Sequence, residues 1–179
     1  MKKSNPLIAL GFLISTPSGI FGQAAMPVQV PAKAPAYPLV VAYTCIFVPI
    51  VSTNSKTTTW NFSNTWSIGL ATGINILYSD RFGFSFDITP VITTTNGISK
   101  VANVIFDPGA VFRLKKGFAL ITRAAFETAG RFGESTIISK MFSPAKRTSS
   151  FIALGVPLRF GNNLPASIGA SLFFGVAFR

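Results

Sequence analysis

The chain reads as an all-β protein, specifically an antiparallel transmembrane β-barrel, with eight strands as the best count. Three observations predict this. The stretch Ala166 to Arg179 puts Ile168, Ala170, Leu172, Phe174, Val176 and Phe178 on one parity, and Ser167, Gly169, Ser171, Phe173, Gly175, Ala177 and Arg179 on the other. A strand sends these sets to opposite faces, one apolar and aromatic, the other mostly small and polar. Second, 49% of the 179 residues are hydrophobic, yet no apolar run approaches the roughly 20 residues of a transmembrane helix. Third, 18 Phe and 15 Gly stand beside only five acidic residues, a balance suited to aromatic-rich strands in lipid. A soluble β-sandwich is the competing class.

Residues 1–24 have the order of an export signal. Lys2 and Lys3 are followed by the apolar run Leu7 to Ile14 and then by small residues up to Ala24, which predicts cleavage after Ala24 or Ala25. No Cys follows immediately, so a lipid anchor is not indicated. Residues 25–38 carry four prolines and read as an extended lead-in to a barrel domain at 39–179.

Leu39 to Val51 is apolar with blurred alternation and Pro49 near its end, and is read as the first strand; Ser52 to Thr59 reads as a loop. The second strand is clearer: Trp66, Ile68, Leu70, Thr72, Ile74, Ile76 and Tyr78 oppose Ser67, Gly69, Ala71, Gly73, Asn75 and Leu77. A turn at Ser79 to Arg81 leads to Phe82, Phe84, Phe86 and Ile88, alternating with Gly83, Ser85, Asp87 and Thr89, which is a hairpin pattern. That strand fades into a turn over Thr93 to Gly97 containing an Asn-Gly pair. In the fourth strand Phe106 and Phe112 oppose Asn103, Asp107 and Arg113, with a bulge or bend expected at Asp107-Pro108-Gly109.

After a tight connection at Leu114 to Gly117, Phe118, Leu120, Thr122, Ala124 and Phe126 oppose Ala119, Ile121, Arg123, Ala125 and Glu127. Gly130 to Gly133 interrupts the pattern, Ser135 to Met141 is a weaker sixth strand, and Pro144 to Ser150 reads as a connection. The seventh strand sends Ile152, Leu154, Val156, Leu158 and Phe160 outward and Phe151, Ala153, Gly155, Pro157 and Arg159 inward; Gly161 to Pro165 leads to the last. An even count returns both ends of the barrel to one side of the membrane. The connections at Asp80-Arg81, Lys115-Lys116 and Pro144 to Ser150 then lie on the periplasmic side, and none of the opposite loops is long. The expected lipid-facing aromatics are Trp66, Phe82, Phe84, Phe86, Phe112, Phe118, Phe174 and Phe178.

On this pattern and its terminal strand the chain resembles the small eight-stranded outer-membrane barrels of Gram-negative bacteria, over roughly Leu39 to Arg179. The resemblance implies residence in the cell outer membrane, contact with its lipid, and insertion by the barrel-assembly machinery. In those families an aromatic residue commonly ends the chain; here Phe178 is penultimate and Arg179 follows it.

Asp87, Asp107 and Glu127 share the inward parity with Arg113, Arg123 and Arg159, and because charge is costly in lipid this predicts a cluster of ion pairs in the lumen. An eight-stranded barrel has room for little beyond its own side chains, so the cluster is expected to plug it. The absence of His and of a GxSxG elbow argues against serine hydrolysis. The single Cys45 excludes an intramolecular disulfide, and no ligand set for a metal or cofactor is apparent. The net charge of +11 is scattered over turns and strand ends behind an export signal, which disfavours nucleic acid as a partner. The expected function is a non-enzymatic structural or envelope-maintenance barrel; the alternative is a narrow passage or binding barrel for a small solute or lipid.

Overall fold

The computed structural model describes residues 36–63, 65–142 and 147–179; the predicted export signal and most of the Pro-rich lead-in lie outside them. Nine strands follow in order: β1 (Leu39–Asn54), β2 (Thr58–Trp60), β3 (Thr65–Leu77), β4 (Phe82–Thr95), β5 (Ile98–Arg113), β6 (Phe118–Glu127), β7 (Arg131–Phe142), β8 (Thr148–Gly161) and β9 (Ser167–Phe178). Each pairs antiparallel with its neighbours, and β1 closes the sheet onto β9. β2 pairs only with the end of β1, so the wall is a closed barrel of eight strands. Closure leaves no wall strand with an open edge, the condition for carrying a sheet through hydrocarbon.

The short β2 replaces the loop expected at Ser52 to Thr59. The run of β-branched threonines favours strand, and Asn54 Oδ1 makes the turn by accepting from the Lys56 and Thr57 amides. Thr93 to Thr95 likewise belong to β4, so the hairpin turn shrinks to Asn96 and Gly97, with φ of 51° and 78°. Those positive angles are what a two-residue primed turn requires. β7 begins at Arg131, four residues earlier than its apolar pattern suggests, because Gly133 is an inward-facing member of the ladder opposite Arg159. Thr148 to Ser150 open β8 for a similar reason, pairing with Val176 to Phe178.

Asp107-Pro108-Gly109 is regular strand in register with β4. The bulge expected there instead leaves Ala102 unpaired, since Val91 opposes Asn103 while Ile92 opposes Val101. A second irregularity follows Pro49, where Val51 resumes the ladder with β9. Pro49 is tolerated because the β1–β3 ladder ends at Phe47 and Gly69, so its missing N–H removes no bond on that side.

The outer surface is an apolar belt. Phe82, Phe112, Phe118, Phe142 and Phe178 ring the end that carries Tyr37 and Arg179, and Trp66, Phe106, Phe126, Phe132 and Phe160 ring the other. Large exposed side chains such as Leu70, Ile88, Leu120, Ile138 and Leu154 fill the band between. Such a surface suits lipid and not water. Trp66, Phe82, Phe112, Phe118, Phe174 and Phe178 are exposed on it, while Phe84 and Phe86 are half-buried among neighbours on the same face.

Inside, apolar packing falls into two groups. Val41, Tyr43, Leu77, Val111 and Ala177 form a core towards the Tyr37 and Arg179 end. Val91, Ile105 and Ala125, with Phe47 against them, occupy the opposite half. Charged residues lie between and beside these groups.

Candidate functional site

The centre of the lumen is built around Arg123 of β6. Its Nη1 donates to Asp87 Oδ2 at 2.5 Å, its Nη2 to Tyr43 Oη at 2.8 Å and to Ser85 Oγ at 2.8 Å, and its Nε reaches the same Ser85 oxygen at 3.2 Å. Tyr43 Oη in turn donates to Asp87 Oδ2 at 2.9 Å, and Thr89 donates to Asp87 Oδ1 at 3.3 Å. Arg123 is 4% exposed and Asp87 2%. A fully buried pair of this kind holds only when its remaining polar atoms also find partners, which the hydroxyls of Tyr43, Ser85 and Thr89 supply.

Two glycines make this reach possible. Arg123, Gly109 and Ser85 lie side by side across β6, β5 and β4, and a Cβ on Gly109 would stand 2.8 Å from Arg123 Cγ. The arginine therefore lies flat over the backbone of β5 to touch β4. Tyr43, Gly73 and Asp87 form the mirror arrangement across β1, β3 and β4, where a Cβ would stand 2.6 Å from Asp87 Cβ. Small residues at these two positions let β1, β4 and β6 be braced together.

A second tier lies nearer the Asn96 end. Arg159 Nε pairs with Glu127 Oε1 at 2.6 Å, its Nη1 donates to the Glu134 carbonyl at 2.7 Å, and its Nη2 to Ser135 Oγ at 3.0 Å. Asn103 Nδ2 covers the other oxygen of Glu127 at 2.8 Å. Arg131 adds a brace from β7, donating to the Arg159 and Pro165 carbonyls and to Ser167 Oγ.

The six charged residues singled out from parity thus do not form one cluster. Asp87 with Arg123 and Glu127 with Arg159 are separate pairs. Asp107 is directly opposite Asp87 in the β4–β5 register, and its buried Oδ1 has no hydrogen-bond partner. It borders a void of about 20 Å³ shared with Arg159 and Ser135, large enough for one water. Arg113 stands apart, and among the described residues it makes no ion pair. Its place at the end of β5 leaves it a full tier from any inward carboxylate, so the pairing expected for it is not made.

Sequence reasoning missed Tyr43 and Arg131, although both are central to the bracing. Tyr43 sits in the strand whose alternation is blurred, and Arg131 precedes a glycine that masks the start of β7. It also missed Glu134, which points outward between Phe132 and Thr136 and whose Oε1 accepts from Thr122 and Thr136 at 3.0 and 2.8 Å. The parity signal was available there, opposite to that of Ser135.

Towards the Tyr37 and Arg179 end the first tier is the floor of a cavity of about 160 Å³. Val111, Ile121, Phe151 and Met141 wall it and Arg113 stands at its mouth. No group of His, Cys, Asp or Glu among the described residues is placed to hold a metal ion.

No protein-family model matches the chain, and no curated protein does. Among solved structures it is similar to a de novo designed barrel, TMB2.3, at 12% identity and a TM-score of 0.44, covering 78% of this chain and 92% of that one. A second structure, from the de novo design of transmembrane β-barrels, gives 10% identity and a TM-score of 0.43 over 80% and 97% of the two chains. The outer membrane protein OprG of Pseudomonas aeruginosa gives 8% identity and 0.38 over 78% and 93%.

Proposed function

We propose that this chain is a non-enzymatic barrel of the bacterial outer membrane, exported by residues 1–24, inserted by the barrel-assembly machinery, and serving a structural or envelope-maintenance role with a closed lumen. The observation that carries the reading is the Arg123 tier, which ties β1, β4 and β6 across the interior with every polar atom of the guanidinium engaged. The Arg159 tier repeats the bracing nearer the other end. Opening a water-filled path would require both networks to come apart, and each holds charges that are expensive to leave unpaired. The apolar belt between two aromatic rings supports the membrane placement, and the short turns offer little surface for a receptor or adhesin. Planar-bilayer recording of the purified protein tests the closed lumen. The expected result is no unit conductance from the wild type; reproducible steps altered by Arg123→Gln refute it.

A second reading, a binding barrel, is favoured by the cavity above the Arg123 tier. A closed floor beneath an apolar chamber makes a cup open at one end, which is compatible with a lumen that does not conduct.

A further inference from the structure

We propose that the cup binds a small amphiphilic monoanion, a carboxylate carried on about six apolar carbons, with its head at Arg113 and its tail against Val111, Ile121 and Phe151. The inference rests on the closed-lumen reading, because the Arg123 tier is the floor that turns the lumen into a cup.

Three features of the cup specify the ligand. Its volume of about 160 Å³ is close to that of an apolar cavity of roughly 150 Å³ that accepts benzene, so the tail is short. Its wall is largely apolar, built from apolar side chains of seven of the eight wall strands, and therefore takes hydrocarbon in preference to a sugar or an ion. Its mouth is cationic: Arg113 lines it and, among the described residues, makes no ion pair with a carboxylate. Around the same end lie Arg81, Lys115, Lys116, Arg147 and Arg179, against the single acidic side chain of Asp80. Asp80 is already engaged, accepting a hydrogen bond from the Tyr37 hydroxyl.

A field of one sign at a low-dielectric opening draws in anions and repels cations. The guanidinium of Arg113 then offers a planar fork that a carboxylate can meet with two bonds. Part-way down the wall Asn75 is an uncommitted amide, with Oδ1 buried and without a hydrogen-bond partner. It gives an additional polar contact to a ligand that reaches that depth. The floor sets the lower limit of entry, since Tyr43, Asp87 and Arg123 satisfy one another and leave no charge to attract a second head.

The test uses the full chain in phosphatidylcholine nanodiscs, with sodium hexanoate, hexan-1-ol and hexylammonium chloride as probes and methyl NMR as the readout. Hexanoate is expected to give saturable shifts at the methyls of Val111, Ile121 and Met141, with Val91 and Ile105 beyond the floor unmoved. Hexan-1-ol and hexylammonium should bind at least tenfold more weakly. Arg113→Gln should weaken hexanoate at least tenfold, and Ala119→Leu should abolish its binding by filling the cup. Equal binding of hexylammonium, an unchanged affinity in Arg113→Gln, absence of saturation, or parallel shifts at Val91 and Ile105 would each overturn the proposal. Conductance recorded on the same preparation separates the two readings. Unit steps remove the closed floor, whereas a silent barrel without methyl shifts removes only the ligand.

Discussion

Replacing Arg123 by Met removes the cation of β6 that side chains of β1 and β4 converge to meet, and the size of the loss can be worked from its contacts. The substitution keeps most of the side-chain volume, so the cavity term is small. What remains is a carboxylate, Asp87, buried to 2% exposure, which retains the Tyr43 hydroxyl at 2.9 Å and a longer bond from Thr89 at 3.3 Å. Breaking a buried pair from one side costs about 3 to 5 kcal/mol. The two surviving hydroxyl donors place Arg123→Met at the lower end, about 3 kcal/mol. The double variant Arg123→Met/Asp87→Leu removes both charges, and an apolar replacement of a buried pair is commonly neutral or better.

Asp107 lies directly opposite Asp87 and already has an unpartnered buried oxygen, so Arg123→Met alone leaves two buried carboxylates facing each other without the nearby cation. Adding Asp107→Asn to Arg123→Met should therefore recover more stability than the same change made in the wild-type background. Urea unfolding in defined bilayers, followed by the fluorescence of Trp60 and Trp66, measures the wild type and all four variants. If Arg123→Met shifts stability by less than about 0.5 kcal/mol, the range of an ordinary surface change, then the tier does not hold the barrel together. If Asp107→Asn is equally effective in both backgrounds, the shared-cation argument fails.

Other expectations follow from the same geometry. Gly73→Ala should destabilise by about 1 to 3 kcal/mol through overpacking against Tyr43 and Asp87, measured by the same unfolding assay. Ile88→Arg, at the middle of β4 on the lipid face, should cost about 2 to 4 kcal/mol, against about 0 to 1 for Phe82→Arg in the aromatic ring; equal costs would mean that the membrane band is misplaced. Glu134→Leu should stabilise by up to about 1 kcal/mol, because the outward carboxylate lies just inside the ring marked by Phe132 and Phe160. The hydrogen bond to Asp80 raises the Tyr37 phenol above its ordinary pKa of 10.0. Its contribution is therefore fully present below pH 10 and lost as pH rises through the raised value, and absorbance titration of wild type against Tyr37→Phe should show one late phenolate.

Strand identity was legible wherever one face meets lipid. The outward residues of β3, β4, β6, β8 and β9 are apolar with few exceptions, Thr72 and Thr122 among them, so alternation survives in the sequence with little interruption. It was weakest where another demand intruded. In β1 the inward face is also apolar, with Val41, Tyr43, Cys45 and Phe47 pointing into the lumen, and the contrast between parities disappears. At the Asn96 end, Thr93 to Thr95 and Thr58 to Trp60 extend past the hydrocarbon, where polar residues suit strand and loop equally well.

The lumen was legible as a list of charges but not as a set of contacts, because parity assigns a face and says nothing of height. Asp87, Asp107, Arg113 and Arg123 all point inward, yet the antiparallel register places Asp87 beside Asp107, brings Arg123 across Gly109 to Ser85, and strands Arg113 at the rim. Register depends on turn length and bulges, and the bulge at Ala102 sits five residues from the Asp-Pro-Gly sequence that advertised one. The glycines mislead in the same way. In the sequence Gly73 is only a small member of the inward parity and Gly109 part of an expected bend, whereas in the folded barrel each is the floor over which a long side chain crosses a strand. Pairing across two strands rather than one is invisible to any local pattern, and it decides which of the inward charges become structure and which, like Arg113, remain free to meet a ligand.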